Sequence, residues 1–193
     1  MAGIPHGSEV VPQWHPVTSS PGPGVRTRRA RPDDEDALAA IDAATWTPDV
    51  TPAPKPDPPR PFFQPGRVAP ADVVVAEVDG VVAGYAGLRN PIPEPTHRHV
   101  LEIGGLAVDP VLQRRGVGRA LVDAAVAEAA ARGVRKVSLR VLGSNGLARR
   151  LYARCGFVEE GVLREEFLLG GRYVDDVIMA RYLELADGPG LRR

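Results

Sequence analysis

The residues best suited to chemistry lie in Leu101-Glu-Ile-Gly-Gly-Leu-Ala-Val-Asp-Pro110 and in Gln113-Arg-Arg-Gly-Val-Gly-Arg119. Gly116 and Gly118 stand where an apolar strand gives way to a helix, just past an exit marked by Pro110. The first N–H groups of such a helix have no intrahelical partner, and the positive end of the helix dipole lies among them. Bare glycines let a phosphate approach those groups closely. Arg114, Arg115 and Arg119 add cationic charge to the same turn. The predicted chemistry is a phosphate or pyrophosphate cradle built from Gln113, Arg114, Arg115, Gly116, Val117, Gly118 and Arg119.

Other residues stand out singly. Glu102 is a carboxylate inside an apolar run, which suits a general base or a group that binds a cationic substrate. Tyr152 lies on the apolar face of a helix, where an aromatic normally packs. Asn145 opens that helix and suits an N-cap. His97 and His99 are reserve candidates for the base; with no further ligand cluster they do not predict a metal site. Cys155 sits at a helix C-terminus, where the dipole disfavours a thiolate, and reads as a packed thiol. Glu165, Glu166, Asp175 and Asp176 could attract a cationic amine, although charges on a hairpin commonly form its wet face.

These residues need elements to position them. Val25–Arg31 reads as a short edge strand. Pro32 and the acidic residues after it open a helix that runs to about Trp46. Eight prolines between Pro48 and Pro65 exclude an ordinary helix or interior strand. This loop is either a substrate-covering lid or a surface connection, and Phe62-Phe63 is apolar enough to dock. Strands over 72–78 and 81–88 flank an Asp79-Gly80 hairpin turn. The Val100–Val108 strand leads through the Gly-rich turn into a helix over 117–132. On that helix Leu121, Val122, Ala125, Val126 and Ala129 share one face, and Glu128 and Arg132 form its rim. A strand over 134–142 follows, then a helix with Leu147, Ala148, Leu151, Tyr152 and Cys155 on its apolar face. Two strands, 157–168 and 173–183, turn at Gly170-Gly171. The order β, α, loop, β, β, β, α, β, α, β, β predicts an α/β domain on a single mixed sheet flanked by helices. Residues 1–24 read as a disordered leader, 25–185 as one domain and 186–193 as a flexible tail.

The chain has 193 residues and a formal net charge of zero, so no global field recruits nucleic acid or an anionic membrane. One cysteine permits no intramolecular disulfide, which fits a cytoplasmic location. A nucleotide hydrolase would need a Gly-x-x-x-x-Gly-Lys-Ser/Thr turn, which is not in the sequence. A dinucleotide-binding domain would place its glycines in the first βαβ unit rather than after several strands.

Gln113-Arg-Arg-Gly-Val-Gly118 resembles the Gln/Arg-x-x-Gly-x-Gly/Ala loop of the GCN5-related N-acetyltransferases. Asn145-x-x-Ala148-x-x-x-Tyr152-x-x-x-Gly156-Phe157 resembles their second signature, in the family's order and separation. The resemblance covers about 25–183. It implies the acyl-CoA N-acyltransferase fold, a splayed sheet with acetyl-CoA wedged between two parallel strands. It implies transfer of an acetyl group to a primary amine of a small molecule, an amino acid or a protein N-terminus, without a metal. By the same resemblance Leu106, Ala107 and Val108 would pair with the pantetheine arm, with Gly104-Gly105 as a bulge before them. The cradle would hold the pyrophosphate, Asn145 would bond the pantetheine, and Tyr152 would be a general acid beside the sulfur. Glu102 falls where a histone-acetylating branch has a catalytic glutamate. A homodimer is common among the proteins resembled. A non-catalytic acyl-CoA-binding module on the same fold remains the alternative.

Overall fold

The computed structural model describes residues 24–183, so the leader up to residue 23 and the tail lie outside the described residues. The strands are β1 (Val25–Arg29), β2 (Val73–Val78), β3 (Val81–Arg89), β4 (Val100–Val108), β5 (Lys136–Leu142), β6 (Val158–Leu169) and β7 (Arg172–Tyr182). The helices are α1 (Glu35–Thr45), α2 (Val117–Ala131) and α3 (Gly146–Arg154). Their order is the expected one, and boundaries move by a residue or two. Among the described residues no helix is long and apolar enough to cross a membrane.

All seven strands form one sheet in the order β1-β2-β3-β4-β5-β7-β6. Every neighbouring pair is antiparallel except β4 and β5. That parallel pairing runs only from Val100 opposite Lys136 to Ile103 opposite Leu139. Beyond it β4 stays with β3 as far as Val108, and β5 stays with β7 as far as Leu142. The two middle strands therefore part and leave a wedge at their C-terminal ends. The parting coincides with a β-bulge. Ile103 faces Leu88 and Gly105 faces Gly87, which leaves Gly104 as the extra residue. An extra residue bends its strand and increases the local twist.

Each face of the sheet carries a layer. Leu121, Val122, Ala125, Val126 and Ala129 of α2 are buried with Val74, Ala86, Leu101, Ile103, Val137 and Leu139. On the other face Leu38 and Ile41 of α1 are buried with Val73, Val75, Tyr85 and Ala107. Full burial of each such aliphatic side chain contributes roughly 1.5–3 kcal/mol, so the α2 layer dominates. Gly84 is fixed by space: an added Cβ would lie 2.5 Å from the Ala107 carbonyl oxygen.

Two expectations about helix faces need correction. Leu147 is 72% exposed because it lies in the first turn of α3, beyond the cover of the sheet. Glu128, expected at the rim of α2, is 1% exposed. The Arg29 side chain crosses from β1 and grips Glu128 with two hydrogen bonds of 2.7 and 3.2 Å. Arg132 adds a third at 2.9 Å.

The Pro-rich loop folds back on α1. The Phe62 and Phe63 N–H groups donate to the Glu35 carboxylate at 2.5 and 2.9 Å. Lys55 Nζ donates to the Ala43 carbonyl at 2.7 Å, and Trp46 Nε1 to the Ala53 carbonyl at 2.9 Å. The Phe62 ring then meets the Tyr85 ring edge-on, 4.7 Å between centroids. The loop thus forms a wall on the α1 face, beside β3.

Candidate functional site

The wedge is bounded on one side by the free edge of β4. Backbone groups along a strand point alternately to its two neighbours. The Asp109 N–H donates to the Ala83 carbonyl on β3, at 2.9 Å. Ala107 therefore also turns its backbone towards β3, while Leu106 and Val108 turn theirs into the wedge. This refines the expectation that all three line it: Ala107 contributes its side chain to the α1-face core instead. The Val108 carbonyl already accepts a 3.3 Å hydrogen bond from Gln113 Nε2.

At the mouth of the wedge lies the start of α2. Gly116 is its N-cap at φ +84°, a left-handed conformation that suits glycine. The first intrahelical bond closes from Ala120 N–H to Gly116 O at 3.0 Å. The N–H groups of Val117, Gly118 and Arg119 are left without a partner among the described residues. Arg114 and Arg115 are exposed and form no ion pair among the described residues, whereas Arg119 lies 3.5 Å from Asp123. Gly118 has a second use. An added Cβ would approach Leu151 of α3 to 3.3 Å and Val108 to 3.8 Å. Its bareness lets α2 and α3 close together at the mouth of the wedge.

Two functional candidates ride on α3, which springs from the end of β5 as α2 springs from the end of β4. Asn145 caps α3 by accepting from the Ala148 N–H at 3.1 Å through Oδ1, and its Nδ2 makes no bond among the described residues. Tyr152 is buried, with its ring 5.9 Å from that of Phe157. Its hydroxyl has no hydrogen-bond partner among the described residues. Burial pushes its pKa up to about 12, with a smaller contribution from Cys155. Burial likewise raises the Cys155 thiol, in keeping with a packed, unreactive sulfur. The Tyr152 shift has a measurable sign. Its folded pKa lies above the unfolded value of 10.0. Below pH 10 both states keep the proton; above it the unfolded state loses the proton first, so stability falls until pH 12. The expected loss is about 1.4 kcal/mol per unit. Melting curves of the native chain and Tyr152→Phe should diverge in this window, the native chain falling faster.

On the α1 face of the wedge stands Glu102, 7% exposed. It is not a lone carboxylate. Arg89, its register partner on β3, donates Nε to Glu102 Oε1 at 2.8 Å and Nη2 to the same oxygen. Sequence reasoning passed over Arg89, because its pairing depends on the register across a bulge and a ten-residue loop. On β5 Arg140 donates Nε to the buried Asp176 at 2.5 Å, and its Nη2 lies 3.7 Å from Glu166. Asp176 is therefore an internal partner of Arg140 rather than part of a wet face. Asp175 accepts from the Glu165 N–H at 2.9 Å, where β6 bulges away from β7. His97 and His99 precede β4, on the side of Glu102 away from the wedge, and neither hydrogen-bonds Glu102. Their rings are 6.0 Å apart, and His97 Nδ1 is buried without a partner. Glu102, the Leu106–Val108 edge, the α2 start, Asn145 and Tyr152 thus lie on β4, α2 and α3, the strand and the two helices that border the wedge. The structure leaves the two histidines aside.

This architecture has relatives. The model of the acetyltransferase (GNAT) family matches residues 36–157. Phosphinothricin N-acetyltransferase of Alcaligenes faecalis is 35% identical over 115 residues, 59% of this chain and 58% of that protein. The [ribosomal protein bS18]-alanine N-acetyltransferase of Escherichia coli K12 is 40% identical over 102 residues, 53% of this chain and 65% of that protein. Both matches span less than two thirds of the relative's length. A phosphinothricin acetyltransferase from Sinorhizobium meliloti, solved in complex with acetyl-CoA, has the same fold at a TM-score of 0.69. It is 21% identical, covering 83% of this chain and 89% of that one. A family model spanning well over half of the chain, on a splayed sheet with its Gly-rich turn at the mouth of the wedge, places the protein in the acetyltransferase (GNAT) family.

Proposed function

We propose that the protein transfers the acetyl group of acetyl-CoA to a primary amine by direct attack in a ternary complex. The observation that carries this is the unpaired β4 edge running from the bulge at Gly104 to the bare N-terminus of α2. That track offers amide groups to an extended arm and N–H donors to a pyrophosphate at its end. In this reading Val117, Gly118 and Arg119 bind the pyrophosphate through their backbones, with Gln113 and the Arg114 and Arg115 side chains at the rim. Leu106 and Val108 hold the pantetheine amides as a neighbouring strand would, and Asn145 Nδ2 supports the arm from α3. A β4 N–H beside the bulge polarises the thioester carbonyl.

The thioester supplies an activated acyl carbon and a sulfur leaving group. A C–N bond forms, the C–S bond breaks, the amine loses a proton, and the thiolate leaves hydrogen-bonded to Tyr152 and takes its proton from water. Glu102 accepts the amine proton, directly or through water, and the Arg89 ion pair fixes its position. Tyr152 serves the sulfur. An ordinary thiol has a pKa of about 8.5, below the value of about 12 for Tyr152, so Tyr152 stays protonated and stabilises the leaving thiolate chiefly as a hydrogen-bond donor.

The test measures thiol release with acetyl-CoA over a panel of amino acids, polyamines, aminoglycosides and N-terminal peptides, alongside acetyl-CoA binding by calorimetry. Binding together with amine-dependent thiol release is expected. Binding without turnover of any amine would favour the non-catalytic acyl-CoA-binding module.

A further inference from the structure

Beside the wedge lies a slot with a glycine floor. Gly87 and Gly105 stand opposite each other on β3 and β4, and the bulge at Gly104 separates Gly105 from Glu102. They lie two residues along from Tyr85 and Ala107, which pack towards α1, so they share the α1 face. A Cβ on Gly87 would meet nothing within 4 Å among the described residues, and one on Gly105 would meet the Tyr85 ring at 3.7 Å. Two facing strand positions thus carry no side chain, and the space over Gly87 is open. Glycine inside a strand forgoes packing, and it marks places where another molecule comes close to the backbone.

The slot has two walls. Tyr85 stands on one side. Its hydroxyl donates to Asp42 of α1, and Phe62 packs edge-on against its ring. Arg89 stands on the other side. A Cβ on Gly104 would strike its Cδ and Nε at 2.8 Å and its Cγ at 3.2 Å, so its methylenes lie over the bulge. Its Nε and Nη2 are engaged by Glu102. The lining is therefore an aromatic edge, methylene groups and bare backbone. Beyond the bulge stands Glu102, 7% exposed. Both its hydrogen bonds end on Oε1, which leaves Oε2 without a partner among the described residues. An apolar slot thus runs up to a buried carboxylate that still has one oxygen open.

We infer that this slot receives the body of the acceptor, and that the acceptor is a primary amine joined by a short linker to a flat, uncharged ring. This rests on the acetyl-transfer reading above and names its substrate class. With the amine at Glu102 on β4, the rest of the molecule crosses towards β3, one strand spacing of about 4.8 Å away. A two-carbon linker spans that distance. A ring lying on the two glycines meets bare peptide planes over its whole face, whereas a rounded body touches them at a few points. Its edge meets Tyr85 in the kind of arrangement that Phe62 and Tyr85 already adopt. A second ammonium on the acceptor would meet no open carboxylate in the slot and would face the Arg89 guanidinium as a like charge. Gly87 is the specificity-determining residue in this account. It takes no part in the chemistry, and it lies one strand away from the acetyl-CoA track.

The experiment compares kcat/KM, at saturating acetyl-CoA, for 2-phenylethylamine, 2-cyclohexylethylamine, spermidine and n-propylamine, the last of which stops short of the slot. The phenyl amine should exceed the cyclohexyl amine by about two- to tenfold, the worth of one aromatic pair. It should exceed spermidine by about tenfold or more, through burial of the ring. Gly87→Ala places a methyl group in open space, so the variant should fold and keep its acetyl-CoA affinity within about twofold. Its kcat/KM for the phenyl amine should fall by about tenfold, chiefly through KM, while that for n-propylamine holds. Equal or better use of the cyclohexyl amine or spermidine would remove the ring subsite and leave acetyl transfer standing. An equal loss for the phenyl amine and n-propylamine in Gly87→Ala, or no loss for either, would do the same. No turnover of these amines or of the wider panel above, with acetyl-CoA bound, would remove both readings.

Discussion

Tyr152→Phe is expected to lower turnover by about 10²- to 10³-fold, the usual worth of one hydrogen-bond donor to the developing charge, while acetyl-CoA affinity stays within about twofold. The prediction separates chemistry from packing because the substitution removes one oxygen and little volume. Phenylalanine keeps the contact with Phe157. The hydroxyl makes no hydrogen bond among the described residues, so its loss leaves no group stranded inside the protein. A folding defect cannot then account for a slower enzyme, and the melting temperature should hold or rise slightly. Acetyl-CoA affinity is assigned to the β4 edge and the α2 start, neither of which touches the hydroxyl. Turnover and binding measured on one preparation decide the matter. An unchanged rate would make Tyr152 a packing residue and move the search for a donor to water.

The sequence made much of this arrangement readable, for physical reasons that apply residue by residue. The apolar run over Val100–Val108, the alternation of Val137, Leu139 and Val141 and the 3.6-residue period over Leu121–Ala129 are local signals, and local signals identify elements. Gly104-Gly105 announced a bulge because paired glycines in a strand seldom serve packing. Asp79-Gly80 marked a turn for a similar reason, and both residues take positive φ. The arginine partners were not legible. Arg29 reaches Glu128 across 99 positions, and Arg140 reaches Asp176 across 36. Such pairings depend on strand order, including the insertion of β7 between β5 and β6, which no periodicity encodes. Leu147 misled because its spacing fits the apolar face while its turn overhangs the sheet. The roles of Asn145 and Tyr152 came from motif position; composition alone read them as a cap and a core aromatic.

Glu128→Ala is expected to be among the most destabilising single changes, at about 3–5 kcal/mol. Glu128 is buried beneath two arginines, and its removal leaves Arg29 without the carboxylate it chelates at 2.7 Å. Arg132 is better provided for, since Asp72 at 2.9 Å and the Ala71 carbonyl at 2.7 Å remain. That retained support and the 26% exposure of the Arg29 side chain place the loss near the lower end. A cavity under α2 adds to it. The measurement is urea unfolding, in which the midpoint should fall with little change in slope. Glu128→Gln preserves the shape and removes the charge. It should lose most of the same stability if the ion pairs matter, and little if the effect is only packing. The wedge lies at the other end of α2, so acetyl-CoA affinity per folded molecule should hold.

The seam between β4 and β5 is only four residue pairs long. Cohesion across the sheet is therefore uneven. The β1–β4 plate and the β5–β7 plate are each tied along nearly their whole length, and the tie between them is the weakest line in the fold. A molecule lying along the free β4 edge would act as an additional strand and brace the two plates. Loading then becomes mechanical as well as chemical. The amides flanking Ile103 and Leu139 should exchange hydrogen more slowly when the wedge is filled, and faster each time a product leaves it.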